Sequence, residues 1–409
     1  MSDQKQKSYQ KSGLQDLYFG QECLNRLSFL REDYDFLKLA GTHPSAKLLV
    51  MVGNNAVSFG ENSHHEEHLT FAQNKTTVAY MKQWLADSEG LSAESRAAGK
   101  PIVVFLGIKD SSVGFEPESY SGPEAYITYK ERYTGIPYFA FNFPRRGGLE
   151  AFVEKVRAET GTLPEYKVLS GFQDVFKLSN FNASIMSHAR MYVDWIHKNQ
   201  FCGGCGSRVV PIFGGSKLRC LNNETETVGD KETPVCPVKQ VSVSNLSFPR
   251  TDCVVITAPV TADHSKILLG TSKRWKGDPD FDRMWSCIAG FVEPSETIEV
   301  ATKRECWEET GVVSSSVHIM KTQPWPFPVN LMIGCITVVE ENGVNEMIHL
   351  GHDAELLDAK WFEVSEIKKM IESKGKYNPF GILLPKSQSI AFQLIKMVAF
   401  NEVNLTSKI

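Results

Sequence analysis

An α+β architecture spread over more than one domain is what this sequence predicts, and three observations carry it. The chain has 409 residues, more than one ordinary hydrophobic core accommodates. Between residues 14 and 181, apolar strand-like runs ("KLLVMV", "PIVVFLGI", "PYFAFNF") are joined by polar, glycine-containing connections. From "FPRTDCVVITAPV" onward, strands alternate with one strong helix to the end of the chain.

Taken in order, residues 1–13 are polar and expected to be disordered, and 14–198 form an amino-terminal domain with a linking helix. Within it "ADSEGLSAESRAAGK" (86–100) reads as a surface helix or loop. His64 and His65, with Glu66 and Glu67, read better as a solvated loop than as a metal site, because no helix or strand period organises them. From Asn182 the pattern changes: Ile185, Ala189, Val193 and Ile196 recur every three or four residues and predict a helix with one apolar face. That helix leads into a cysteine-bearing segment, 199–249, and then a second domain, 250–409. No internal repeat is visible in the residues.

Composition excludes several classes. The net charge of −4 gives no basic footprint for bulk nucleic-acid binding, although a local basic channel stays compatible with it. No apolar run approaches the ~20 residues needed to span a bilayer, so no membrane partner is expected. The polar start "MSDQKQKSYQKSG" lacks the apolar stretch of a secretory signal. Nine cysteines without such a signal suggest reduced thiols or metal ligands. The carboxyl end, Ser407-Lys408-Ile409, differs from the peroxisomal address Ser-Lys-Leu only in the branching of its last residue. It predicts a peroxisomal protein read by the import receptor, with room for a cytoplasmic pool as well.

The first chemistry along the chain is "FCGGCGS". Cys202 and Cys205 flank two glycines in a turn that aims two thiolates at one point. Cys220 and Cys236 are the next thiols and complete a Cys₄ set for a structural Zn²⁺, closed to substrate. The alternative leaves Cys236 as an idle loop thiol.

The strong helix lies in "GFVEPSETIEVATKRECWEETGV", residues 290–312, where Glu305, Glu308 and Glu309 crowd into five positions. Pro294 and Ser295 suggest its start and Gly311 its stop. On a helical wheel the three carboxylates share an arc of about 100°, with Arg304 beside Glu308. Val300 and Trp307 fall on the other side and are expected to pack there. Like charges at this spacing cost ~0.2–0.5 kcal/mol per pair, and the macrodipole disfavours them near a helix carboxyl end. A divalent cation removes both penalties, and Mg²⁺ takes hard oxygen ligands together with water and substrate phosphates.

Gly290-x₅-Glu296-x₇-Arg304-Glu305-Cys306-x-Glu308-Glu309-x-Gly311-Val312 resembles the Nudix box, the diphosphate-hydrolase motif. Cys306 stands where an aliphatic residue is usual. The following "TQPWPFPVNLM" has three alternating prolines that stiffen the backbone and pin Trp325 and Phe327, a suitable wall for a flat base. It resembles the Gln-Pro-Trp-Pro-Phe-Pro signature of the NADH pyrophosphatase branch, which usually carries Ser where Thr322 and Asn330 stand here. Phe248-Pro249-Arg250 resembles the branch's entry after a zinc ribbon, "HDAELLDAKWF" a segment that supplies a further metal-binding glutamate, and "SIAFQLI" the closing helix. "YFGQECLNRLSFLRED" is similar to fungal, peroxisomal members.

That resemblance implies an α/β/α Nudix sandwich preceded by a zinc ribbon and an amino-terminal Nudix-like α/β domain, in a homodimer. It implies hydrolysis of NADH and related dinucleotides to reduced nicotinamide mononucleotide and AMP. Glu305, Glu309, Glu355 and the carbonyl of Ala289 would hold Mg²⁺ or Mn²⁺. Glu308 would share the metal or help activate the water, and Glu296 would anchor Arg304, with Gly290 and Gly311 structural. Substrate contacts would come from Phe248, Gln323, Pro324, Trp325, Pro326, Phe327, Pro328, Val329, Asn330 and Ala391. Two rival readings stay open: removal of NAD caps from RNA 5′ ends by the same chemistry, and a non-enzymatic nucleotide sensor, against which the complete glutamate set speaks.

Overall fold

A computed structural model describes residues 17–21, 23–59, 69–89, 100–122, 124–161, 165–222, 227–228, 231–232, 236–239, 248–273, 283–352 and 355–402. The His64/His65 cluster, the disordered-tail assignment, most of the 86–100 segment and the terminal Ser-Lys-Ile lie outside the described residues. The chain divides into two compact units, Met1–Arg250 and Thr251–Ile409.

In the first unit, α1 (Tyr34–Thr42) starts at Asp33, whose carboxylate accepts from the Phe36 N–H. Then come β1 (Lys47–Val52), β2 (Asn55–Phe59), β3 (Thr70–Ala72) and α2 (Lys75–Glu89). After these follow β4 (Ile102–Lys109), β5 (Ile127–Tyr129), β6 (Tyr133–Phe143) and α3 (Arg146–Thr160). The strand-like runs of the sequence are β1, β4 and β6; their residues are buried nearly throughout, as expected of strands covered on both faces. Phe36, Phe105, Phe139, Phe141 and Phe152 fill the core between them.

β7 (Tyr166–Val168) and the short α4 (Phe172–Val175) lead to α5 (Asn180–Lys198), capped by the Ser179 hydroxyl. Ile185, Ala189, Val193 and Ile196 are all fully buried along it, as their period predicts. The cysteine segment follows as β8 (Val209–Ile212) and β9 (Lys217–Cys220), a hairpin, with a minor pair β10 (Thr227–Val228) and β11 (Lys231–Glu232). The hairpin tip is held against β4: the Phe105 N–H donates to the Gly214 carbonyl at 2.8 Å. A Cβ on Gly215 would meet the Val103 carbonyl at 2.8 Å, so that close approach needs glycine.

The second unit runs β12 (Asp252–Thr261), β13 (Lys266–Ser272), β14 (Ile288–Phe291) and α6 (Ile298–Thr310). It continues as β15 (Ser316–Trp325), β16 (Asn330–Val339), β17 (Leu356–Glu363), α7 (Val364–Glu372) and α8 (Ile390–Ala399). The sheet order is β15-β16-β12-β13-β17, with β14 also pairing β12. β12 and β16 are parallel in register from Asp252↔Asn330 to Thr261↔Val339. Successive residues of β16 show how the layers stack. The Thr302 hydroxyl of α6 donates to the Cys335 sulfur, whereas a Cβ on Gly334 would strike Ile390 of α8. Neighbouring strand residues point to opposite faces, so α6 and α8 cover opposite sides. The unit is an α/β/α sandwich.

The absence of a repeat in the residues does not extend to topology. The first sheet runs β4-β6-β1-β2-β7, with β3 also pairing β1 and with β1 and β6 parallel. Apart from β5, an extra strand that pairs β6, this is the order of the second sheet, and α2 occupies the chain position of α6. Burial preserves an apolar pattern and a topology, while surface residues diverge freely; α2 has none of the clustered glutamates of α6.

Candidate diphosphate and zinc sites

The glutamate helix begins later than Pro294 and Ser295 suggest. Ser295 has φ 72°, a left-handed conformation no helix interior accepts. The residues before α6 instead form a turn closed by the Glu296 N–H on the Glu293 carbonyl, with the Glu296 carboxylate accepting from the Glu293 N–H. Thr297 is the cap, its hydroxyl accepting from Val300 N. At the other end Gly311, φ 74°, donates to the Trp307 carbonyl. A Cβ there would also press on His349, at 2.7 Å.

The packing face of α6 also differs from the wheel expectation. Ala301, Thr302, Cys306, Glu309 and Thr310 are buried, while Val300 and Trp307 are exposed. Small side chains let the helix sit close to the sheet, and Trp307 stacks on His352 at 4.2 Å instead.

Arg304 organises the carboxylates. Its Nε and Nη2 donate to the two Glu296 oxygens at 2.7 and 2.9 Å, a bidentate fork. Nη1 donates to Glu305 at 2.7 Å and Glu308 at 2.9 Å, and Nη2 also reaches the Phe291 carbonyl at 2.8 Å. The guanidinium fork, with help from the Glu293 N–H, holds the Glu296 carboxyl down at about 2. That pair is therefore intact above the ordinary carboxylate range and is lost as pH falls toward 2. Burial pushes Glu305 upward, with Arg304 opposing. Glu309 is only 6% exposed.

Gly290, in β14, lies directly under Glu305: a Cβ at this position would fall inside the Glu305 carboxylate. Ala289 pairs with Ile256 of β12, which sets its carbonyl on the same rigid strand. Glu355 is exposed and precedes β17, its carbonyl accepting from Lys273 N at 3.3 Å. Arg304 gathers Glu296, Glu305 and Glu308. Glu305, Glu309 and Glu355 are not drawn to within 4.8 Å of one another. The donor set is nonetheless all hard oxygen, which suits a divalent cation, and the missing Cβ of Gly290 gives the Glu305 carboxylate its place.

The proline-rich stretch is the end of β15 and the turn into β16. Trp325 and Phe327 are half-buried and meet edge to face at 6.1 Å. Pro324 and Asn330 are half-buried, Pro328 exposed, and Pro326 and Val329 buried. Gln323 is fully buried: its amide donates to the Gln388 carbonyl at 2.8 Å and its oxygen accepts from Ile390 N at 2.7 Å. It ties the hairpin to the start of α8, where Ala391 is also buried and its carbonyl faces the Cys287 thiol. Phe248 is exposed in the first unit. Sequence reasoning passed over Phe291, 57% exposed at the end of β14, with its carbonyl on Arg304. An aromatic directly after the box glycine was the available signal.

Among the described residues the four cysteines form the one cluster whose ligand atoms all lie within 4.8 Å of one another. Cys202 and Cys236 sulfurs are 3.6 Å apart, and Cys205 and Cys220 are 3.5 Å apart. The Gly204 and Asn222 N–H groups donate to the Cys202 and Cys220 sulfurs at 3.4 Å, which stabilises thiolate ligands. Burial pushes the Cys220 thiol up to about 12 despite its backbone donor, and raises Cys236 as well. In a metal-free quartet these thiols keep protons that zinc must displace. Cys236→Ser is therefore expected to lose most bound zinc and to lower the thermal midpoint by about 5–10 °C, the shift that ~2–3 kcal/mol produces in a unit of this size. Metal analysis with thermal unfolding checks it; unchanged zinc content would remove Cys236 from the ligand set.

A glutamate-bearing helix of this pattern, packed on a mixed sheet within an α/β/α sandwich, defines a Nudix fold. The NUDIX domain family matches residues 251–380, and the NADH pyrophosphatase zinc ribbon domain matches residues 197–228. The chain is 38% identical to the NAD-capped RNA hydrolase NPY1 of Saccharomyces cerevisiae, over 95% of this chain and 96% of that one. It is 30% identical to the NAD-capped RNA hydrolase of Schizosaccharomyces pombe, over 94% and 93%. It is 29% identical to the human mitochondrial NAD(P)H pyrophosphatase NUDT13, over 54% and 56%. This chain belongs to the Nudix hydrolases that carry the NADH pyrophosphatase zinc ribbon.

Proposed function

We propose that this enzyme hydrolyses the diphosphate of NAD units, taking NAD-capped RNA 5′ ends as its main substrate and free NADH as a second. The supporting observation is near full-length similarity to two chains named NAD-capped RNA hydrolases, against only partial similarity to one named for NAD(P)H. This reverses the order that the sequence alone suggested.

Glu305, Glu309, Glu355 and the Ala289 carbonyl would hold Mg²⁺ or Mn²⁺. Bound there, the cation neutralises the diphosphate and lowers the pKa of the attacking water. Glu308 is within reach of Arg304 and part exposed, so it can take a proton while its geometry is held. Glu296 fixes Arg304, and through it the direction of Glu305. Water adds to one phosphorus and the bridging P–O bond breaks, leaving a nicotinamide mononucleotide and a 5′-monophosphate. Trp325 and Phe327 provide the aromatic wall for the base, while Gln323 and Val329, buried, keep the hairpin in place. The four cysteines hold a structural zinc.

Full-length protein with Mg²⁺ or Mn²⁺ should convert NAD-capped RNA to 5′-monophosphate RNA with higher kcat/KM than it converts NADH to reduced nicotinamide mononucleotide and AMP. Product chromatography reads both. NADH cleavage with capped RNA left intact would restore NADH as the main substrate.

A homodimer and a peroxisomal address belong to the same proposal. With a fluorescent protein at the amino end, punctate signal should overlap a peroxisome marker and disperse when residues 407–409 are deleted. Diffuse signal from the intact tail would sink the address.

A further inference from the structure

On the sheet face opposite α6 lies a pocket of about 480 Å³, lined by Arg283, Trp285, Lys360, Phe362, Phe380 and Ile382 among others. Strand alternation places it there. Lys360 and Phe362 alternate along β17 with Ala359 and Trp361, which pack in the cluster around Cys306 of α6.

The pocket floor is aromatic. Trp285 and Phe362 meet edge to face at 5.2 Å, and Phe362 meets Phe380 at 5.0 Å. Trp285 and Phe362 are buried, whereas Phe380 offers part of its ring to solvent. The wall is cationic. Lys360 lies 5.2 Å from the Trp285 ring centroid. Its pairing with Asp358, at 2.9 Å, is exposed at both ends and so binds weakly. Among the described residues no carboxylate pairs with the Arg283 guanidinium.

A part-open Phe380 ring on an aromatic floor, beside Arg283 and the weakly paired Lys360, is what a single-stranded nucleic acid needs, with the ring for a base and charge for a phosphate. Reach also fits. Lys360 stands five residues beyond Glu355 along β17, ~17 Å at ~3.3 Å per residue. Strand β17 ends the sheet order, so a nucleic-acid strand passing round that edge reaches the face opposite α6. Successive phosphates of one strand are ~3.4 Å apart along a stacked helix and further when extended, so a few nucleotides bridge that distance.

We infer that this pocket binds a base and phosphate of the RNA body, a few nucleotides downstream of the cap. Its biological source rests on the capped-RNA reading above; its physical basis, single-strand binding, does not.

The test titrates a short single-stranded RNA with a 5′-hydroxyl, which presents neither cap nor product phosphate, into the full-length protein across a salt series. Wild type should bind. Arg283→Gln with Lys360→Gln should weaken binding at least tenfold and flatten the log K against log [salt] slope by about 1.4, two charges at ~0.7 each for a single strand. Phe380→Ala should weaken it about tenfold with the slope unchanged. Thermal midpoints and NADH turnover should stay at wild-type values. Absent RNA binding, equal binding by all variants, a parallel loss of NADH turnover, or full displacement of the RNA by AMP would each overturn the pocket assignment. Pocket-dependent binding without cleavage of capped RNA would uphold the pocket and sink the capped-RNA reading.

Discussion

Glu309→Gln should lower kcat on NADH by on the order of 10²-fold or more while NADH binding changes less. Glutamine keeps the volume and helix propensity of glutamate, so a side chain buried at this point of α6 is replaced without a cavity. It removes one negative charge, and an amide oxygen is a weaker ligand for a hard cation. Metal-assisted steps rest on several kcal/mol of charge stabilisation, and ~1.4 kcal/mol is tenfold in rate; losing about half of that support gives the stated effect. The aromatic hairpin at Trp325 and Phe327 is untouched, which is why affinity should move less. Single-turnover cleavage and NADH binding at saturating Mn²⁺ measure both. A variant cleaving within threefold of wild type would show that α6 is not the catalytic metal platform.

Gly290→Ala should be nearly as damaging to catalysis and far milder in stability. The added methyl takes the volume held by the Glu305 carboxylate. That carboxylate sits at the end of a flexible side chain, so it moves aside at little cost to the fold. It cannot move without leaving its place beside Arg304, to which it is bonded at 2.7 Å. An ångström-scale displacement of a positioned group costs on the order of 10²-fold, so kcat should fall by about that factor. A thermal midpoint within a few degrees of wild type, beside the lost activity, would separate displacement from unfolding. Retained activity would show that Glu305 reaches its working position by another route.

Much of this was legible because it is local. The zinc turn needs two cysteines spaced by glycines, and the box needs glutamates at helical spacing; both patterns are complete within a few residues. The apolar period of α5 was equally plain, since each of Ile185, Ala189, Val193 and Ile196 is buried. Arg304 illustrates the limit. Its proximity to Glu308 follows from one helical turn, but its grip on Glu296 and on the Phe291 carbonyl depends on a turn in which Ser295 is left-handed. Proline and serine there look like a helix start, and only the φ value says otherwise.

By itself, then, the sequence determined the chemistry: which oxygens and sulfurs are available, and at what spacing along helix and turn. Tertiary structure decided what those groups face. It buried Gln323 as a brace and left Trp307 on the surface. It brought Cys236 to Cys202 across 34 positions, and repeated one strand order in two sheets whose residues show no repeat. The physical reason is that spacing along a chain governs only contacts within a turn or two of helix or a strand pair. Contacts across the sheet depend on which small residues, such as Gly290 and Gly334, let two elements approach, and that is a property of both partners at once.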